Sequence, residues 1–140
     1  MKISMLCVTL VLIGSSALAA EQTFPVDSGL IEFTTPSGNI GCTYIPAGGT
    51  DVYAPKDGGP ELQCDRVAPV YLRLFLYKTG KAQKFENIGD ASCCSVENVL
   101  AYGNTWKKGA LTCISEKTGL TCTRGDGHGF FISKAKIKVY

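Results

Sequence analysis

The chain has 140 residues, 45% of them apolar and 19% charged, with a formal net charge of +2. That length suits a single domain, and so small a charge gives no electrostatic case for nucleic-acid binding, which wants a strongly basic face. Seven cysteines against one histidine make cysteine the most informative residue type.

The chain opens with Met1-Lys2, a short positive start. Residues 3–13 are almost wholly apolar, broken only by Ser4 and Thr9, and Ala17-Leu18-Ala19-Ala20 closes the segment with small residues. This three-part layout predicts a secretory signal over residues 1–20, cleaved after Ala19 or Ala20. The apolar run is shorter than the roughly 20 residues a membrane-spanning helix needs, and no later run is longer. No span is therefore expected in the mature chain. Cys7 stands inside the apolar run with no signal ahead of it, so a lipid-anchored cysteine is not expected. Removing 20 of 140 residues leaves 120 as one domain, residues 21–140, and losing Lys2 takes the charge from +2 to +1. The expected location is periplasmic or secreted.

Without Cys7, six cysteines remain: Cys42, Cys64, Cys93, Cys94, Cys113 and Cys122. An even number in an exported chain reads as disulfides. Cys113 and Cys122 flank a turn at Lys117-Thr118-Gly119 and are expected to face each other across a hairpin. Cys42 and Cys64 each sit in or beside a strand-like segment and form the next pair. Cys93 and Cys94 either bond to each other in an eight-membered ring or each take a distant partner. There are no paired C-x-x-C arms and only one histidine, so no zinc site is expected, nor any other metal or cofactor.

Three turns punctuate β-rich runs. Thr35-Pro36-Ser37-Gly38 separates residues 31–33 from 40–44, Tyr77-Lys78-Thr79-Gly80 separates 70–76 from 82–85, and Glu116-Lys117-Thr118-Gly119 separates 110–115 from 120–124. Each closes on a glycine, which accepts the positive φ that finishes a hairpin. Residues 70–77 alternate: Val70, Leu72, Leu74 and Leu76 form a core face, while Tyr71, Arg73, Phe75 and Tyr77 form a half-covered one. At the end of the chain Ala135, Ile137 and Val139 oppose Lys134, Lys136, Lys138 and Tyr140, a lysine-lined edge strand. Residues 46–60 are rich in glycine and proline and read as a long loop pinned by Cys42–Cys64. Residues 92–100 hold one or two helical turns at most. The fold class expected is all-β, a small antiparallel meander forming a sandwich or a partly open barrel, stapled by disulfides and preceded by a signal peptide.

Chemistry is sparse. His128 stands between Gly127 and Gly129, which would leave its ring accessible as a base or ligand, or would simply shape a tight turn between strands. A Ser-His-Asp arrangement would need partners in space; Ser133, Asp126 and Asp90 are present, but no nucleophile elbow surrounds them. A thiol mechanism would need an unpaired thiolate, which even cysteine parity disfavours. Arg124-Gly125-Asp126 is read as a turn rather than an adhesion tripeptide. Trp106 and Tyr102 are candidate recognition residues, although a tryptophan at a strand start more often enters the core. Paired-carboxylate, P-loop, dinucleotide-binding and EF-hand signatures are not apparent.

The ordered set Pro36-Ser37-Gly38-Asn39-Ile40-Gly41-Cys42, Gln63-Cys64-Asp65, Tyr102-Gly103, Leu111-Thr112-Cys113, Gly119-Leu120-Thr121-Cys122 and Gly127-His128-Gly129-Phe130 resembles a family of bacterial exported proteins known only as domain of unknown function 6636. The resemblance runs from Phe33 to Tyr140. It implies a small extracytoplasmic domain and no established activity.

Together these features favour a monomeric, non-enzymatic binding module, periplasmic or secreted, with His128, Gly127, Gly129, Trp106 and Tyr102 as candidate contact residues. Its partner would be a protein or a cell-envelope component, and inhibition of a hydrolase is one concrete form. The alternatives are a small extracytoplasmic hydrolase using His128, and a structural protein of the envelope.

Overall fold

The computed structural model describes Gly14 and residues 19–140. The rest of the expected leader, Cys7 included, lies outside the described residues. Among them no helix is long and apolar enough to cross a membrane.

Ten strands form two sheets of five, each with its strands in chain order. The first sheet holds β1 (Ile31–Thr34), β2 (Ile40–Ile45), β3 (Glu61–Arg66), β4 (Leu72–Leu76) and β5 (Gln83–Glu86). The second holds β6 (Thr105–Lys108), β7 (Leu111–Glu116), β8 (Gly119–Arg124), β9 (Gly129–Ile132) and β10 (Ile137–Val139). All pairings between neighbours are antiparallel. The architecture is thus all-β, two open meanders whose apolar faces share one core. Period-two alternation produces it: Leu72, Leu74 and Leu76 are fully buried while Arg73 and Phe75 between them are half-covered. Trp106 sits at the junction, with its ring centroid 5.2 Å from Phe33 and 5.8 Å from Tyr44 in the opposite sheet.

The cysteines pair at disulfide distance as Cys42–Cys64, Cys113–Cys122 and Cys93–Cys94. The first two are directly opposed cross-strand partners, one in each sheet. They meet mid-core, where the sulfurs of Cys42, Cys64 and Cys122 lie within 4.8 Å of one another. The third pair joins the adjacent Cys93 and Cys94, the first of the two expected alternatives.

The three glycine-closed turns form as expected, with Gly38 at φ +70° and Gly80 at φ +82°. β10 is an edge strand, as expected, but it holds only Lys138; Lys134 and Lys136 lie in the turn ahead of it. Two expectations are corrected. Val70 is not core: it is 58% exposed, because β4 begins only at Leu72 and the turn ahead of it carries Val70 outward. Residues 92–100 form no helix; glycine-bounded and short, they run extended instead, and the Thr34 N–H and Leu100 N–H exchange bonds with Asn98 and Thr34 carbonyls along β1.

That segment follows from the topology. β5 and β1 are opposite edges of the first sheet, and the chain must return from one to the other before entering β6. Residues 87–98 cross the sheet's outer face to do so. The Arg73 guanidinium meets the Asp90 carbonyl above β4, the Cys93–Cys94 pair lies over Gly41 of β2, and the Asn98 amide donates to the Glu32 carbonyl of β1. The crossing is a strap laid over the sheet.

Candidate functional site

Beneath the strap runs one row of laterally paired residues: Thr34, Gly41, Asp65, Arg73 and Phe85, one from each strand in order. Antiparallel register puts all five on the outer face. Gly41 is the low point of the row. A Cβ there would fall 2.6 Å from the Cys93 sulfur and 2.7 Å from the Cys94 sulfur, so only glycine lets the strap sit this close.

Asp65 and Arg73 form a bidentate pair, with Nε 2.7 Å from Oδ1 and Nη2 2.8 Å from Oδ2. Their side chains are 6% and 18% exposed. The Tyr71 hydroxyl donates to Asp65 Oδ2 at 2.5 Å and accepts the Cys93 N–H at 3.3 Å, tying the charged pair to the strap. Burial pushes the Tyr71 phenol above its usual range, and the hydrogen bond to the Asp65 carboxylate adds to the effect. That same carboxylate holds the Arg73 guanidinium even more firmly protonated than usual. At neutral pH Arg73 and Tyr71 are therefore held as guanidinium and neutral phenol.

Between strap and sheet lies a pocket of about 330 Å³. Gln63, Asp65 and Arg73 form part of its floor, the Cys93–Cys94 pair is one wall, and Glu32 and Asp90 add carboxylates at its margin. Among the described residues Glu32 accepts only from the Thr43 hydroxyl, and the Asp90 carboxylate has no hydrogen-bond partner. The pocket thus offers two carboxylates outside any ion pair beside one engaged ion pair.

The model of one family matches residues 9–140, nearly the whole length. The chain belongs to DUF6636, a family of unknown function. Comparison with curated proteins and with solved structures finds no match.

The residues of this DUF6636 chain singled out by sequence are scattered. His128 is half-buried on the β8–β9 turn; its N–H donates to Asp126 Oδ1 at 3.2 Å and its carbonyl accepts from the Arg124 N–H at 2.8 Å. No side chain among the described residues hydrogen-bonds its ring, and the ring lines neither of the two main cavities. Gly127 takes φ +90° in the turn. Gly129 is required by close approach, since a Cβ would run into the Cys122 carbonyl and lie 2.9 Å from Thr123 Cα. Trp106 is 2% exposed and belongs to the core. Tyr102, 41% exposed, lines a second cavity of about 370 Å³ among the turns at one end of the sandwich.

The Arg124-Gly125-Asp126 tripeptide is a structural turn. Arg124 is buried, its Nη1 donates to the Tyr77 carbonyl and its Nη2 to the Gly80 carbonyl at 2.7 Å, so it joins the second sheet to the β4–β5 turn of the first. Asp126 completes the fork at 2.7 Å, and the guanidinium depresses its carboxyl below the usual range.

Sequence reasoning missed Asp65 as a site residue. A faint signal was there: Gln63 and Asp65 flank Cys64 at strand spacing, so a core-facing cysteine requires both to face outward.

Proposed function

We propose that this chain is an exported, non-enzymatic binding module whose ligand site is the pocket between strap and first sheet. The observation that carries this reading is the Asp65–Arg73–Tyr71 cluster, its carboxylate buried and its guanidinium and phenol half-buried. It lies on the outer face of a sheet, where a fold needs no charge, and it floors a pocket. Concave sites with a few convergent polar groups on a rigid sheet are the common form of ligand site. A component of the cell envelope small enough for about 330 Å³ is the expected ligand.

Export is supported by the leader's three-part layout and by two disulfides sealed in the core. Cleavage after Ala19 fits the fold best. The Ala20 carbonyl then still accepts from the Thr105 N–H at 2.9 Å, and the Gln22 N–H donates to the Thr105 carbonyl at 2.8 Å, pairing the new terminus with the free edge of β6. N-terminal sequencing of the mature protein should begin at Ala20.

The binding reading is tested by thermal shift against size-fractionated small molecules from envelope extract, using wild type, Glu32→Gln/Asp90→Asn and His128→Ala. The first pair alters the pocket margin without breaking an ion pair. A stabilising fraction should act on wild type and His128→Ala and lose its effect on the double variant. An equal response from all three proteins would refute the pocket as the site, and loss in His128→Ala alone would return the weight to the β8–β9 turn.

A further inference from the structure

The three disulfides are not equivalent. Cys42, Cys64, Cys113 and Cys122 are at most 4% exposed and lie between the sheets. Cys93 and Cys94 are half-buried on the strap and line the open pocket rather than the core. Thiol–disulfide exchange depends on access.

Connectivity separates them further. The core bonds span 22 and 9 residues of chain, whereas Cys93–Cys94 spans one. Opening it releases no distant segment, and the strap keeps its other anchors at Asp90 and Asn98. Reduction is a local event that leaves the sandwich closed. The seat is also specific. Gly41 leaves room for both sulfurs, and the Tyr71 hydroxyl holds the Cys93 N–H.

We propose that Cys93–Cys94 is a thiol–disulfide exchange site, reduced by a dithiol and reoxidised by a disulfide of the same class. A thiolate of the dithiol attacks one of the two sulfurs. The Cys93–Cys94 bond breaks, a mixed disulfide forms, and the released cysteine takes a proton. The second thiol of the reductant, as thiolate, attacks its own sulfur in the mixed disulfide and frees the other cysteine. The chain gains two electrons and two protons, both supplied by the dithiol, which leaves as its cyclic disulfide.

The test uses the mature protein under native conditions with dithiothreitol, quenched at intervals by iodoacetamide and mapped by peptide mass. Two labels are expected, on Cys93 and Cys94. Cys42, Cys64, Cys113 and Cys122 should label at least about a thousandfold more slowly, since they react only through the rarely populated open state. Trp106 fluorescence should not change while the first two labels enter. Labels spread over the core cysteines, or none before Trp106 reports unfolding, would overturn the proposal. Tyr71→Phe removes the hydrogen bond to the strap and should speed exchange about fivefold. Gly41→Ala forces the sulfurs off the sheet and should act in the same direction. If Gly41→Ala does not fold, Tyr71→Phe decides, and an unchanged rate there would overturn the role assigned to the seat. Labelling is read without any ligand, so this proposal and the pocket's ligand-binding role fail separately.

Discussion

Breaking the Asp65–Arg73 pair should be among the most damaging single changes on the outer surface of this protein. Both side chains are largely removed from water, and two short hydrogen bonds fix their geometry. Removing one partner of a buried pair typically costs about 3–5 kcal/mol, because the survivor is left uncompensated. Asp65→Ala should fall near the lower end, about 3 kcal/mol, since Arg73 keeps the Asp90 carbonyl and some solvent contact. Arg73→Ala should cost as much, leaving the Asp65 carboxylate with the Tyr71 hydroxyl alone. In Asp65→Ala/Arg73→Ala no charge is stranded, so the double variant should be less destabilised than the sum of the singles by about 2–3 kcal/mol. Urea unfolding at neutral pH measures all four proteins, with total stability on the order of 5–15 kcal/mol as the scale. Single losses under about 1 kcal/mol, or strict additivity, would mean that the pair is solvated and exchangeable, and the pocket floor would not be a rigid site.

Three further outcomes follow from other parts of the fold. In the chain-entropy account, replacing Cys42 and Cys64 by alanine should cost more than replacing Cys113 and Cys122, about 3.4 against 2.6 kcal/mol for loops of 22 and 9 residues; urea midpoints in the opposite order would contradict it. Glu61 is raised above the usual carboxylate range by burial, partly offset by the Lys56 N–H. The native state therefore holds this proton more tightly than the unfolded chain, and the residue's contribution falls as pH rises from the ordinary carboxylate value, about 4.3, through the raised native one. Glu61→Gln should be more stable than wild type above that window and match it below, and a constant difference at every pH would refute the assignment. Gly119, at φ +151°, would place a Cβ 2.5 Å from the Phe131 ring and 2.8 Å from the Ile132 carbonyl. Gly119→Ala should cost about 1–3 kcal/mol in thermal unfolding.

Much of the fold was legible because it rests on local chemistry. Glycine-closed turns and period-two runs gave the all-β class, and the turn between Cys113 and Cys122 gave their pairing. The half-covered face of Tyr71, Arg73, Phe75 and Tyr77 was also visible from alternation alone. The strap was not. Residues 87–98 have no period of their own, and their course is dictated by where β5 ends and β6 must begin, a property of the whole sheet order. The pocket was hidden for the same reason. Asp65 and Arg73 are eight residues apart, Gly41 and Cys93 are fifty-two apart, and only lateral register makes them neighbours. The single histidine drew attention because of its chemistry, yet its position is fixed by a hairpin that its flanking glycines make possible.

The two sheets differ in a way that bears on function. Each has five strands, a meander order and one cross-strand disulfide, and each turns one face to a common core. On stability grounds their outer faces should be alike, since neither is needed for the core. The second sheet's outer face is what that argument predicts: half-covered or exposed Thr112, Ile114, Thr121 and Thr123 with no buried charge. The first sheet's outer face is not. It carries a third layer, a bare glycine beneath two sulfurs, and a desolvated ion pair. A buried ion pair is a poor way to gain stability, because desolvation offsets most of the attraction and apolar residues of the same volume do as well or better. Nor does the return from β5 to β1 require one; Leu or Val along the row would seat an apolar strap. The charge on this face therefore points to selection for something the strap and floor do together, and the proposed ligand pocket and the proposed exchange site both lie on that side of the molecule.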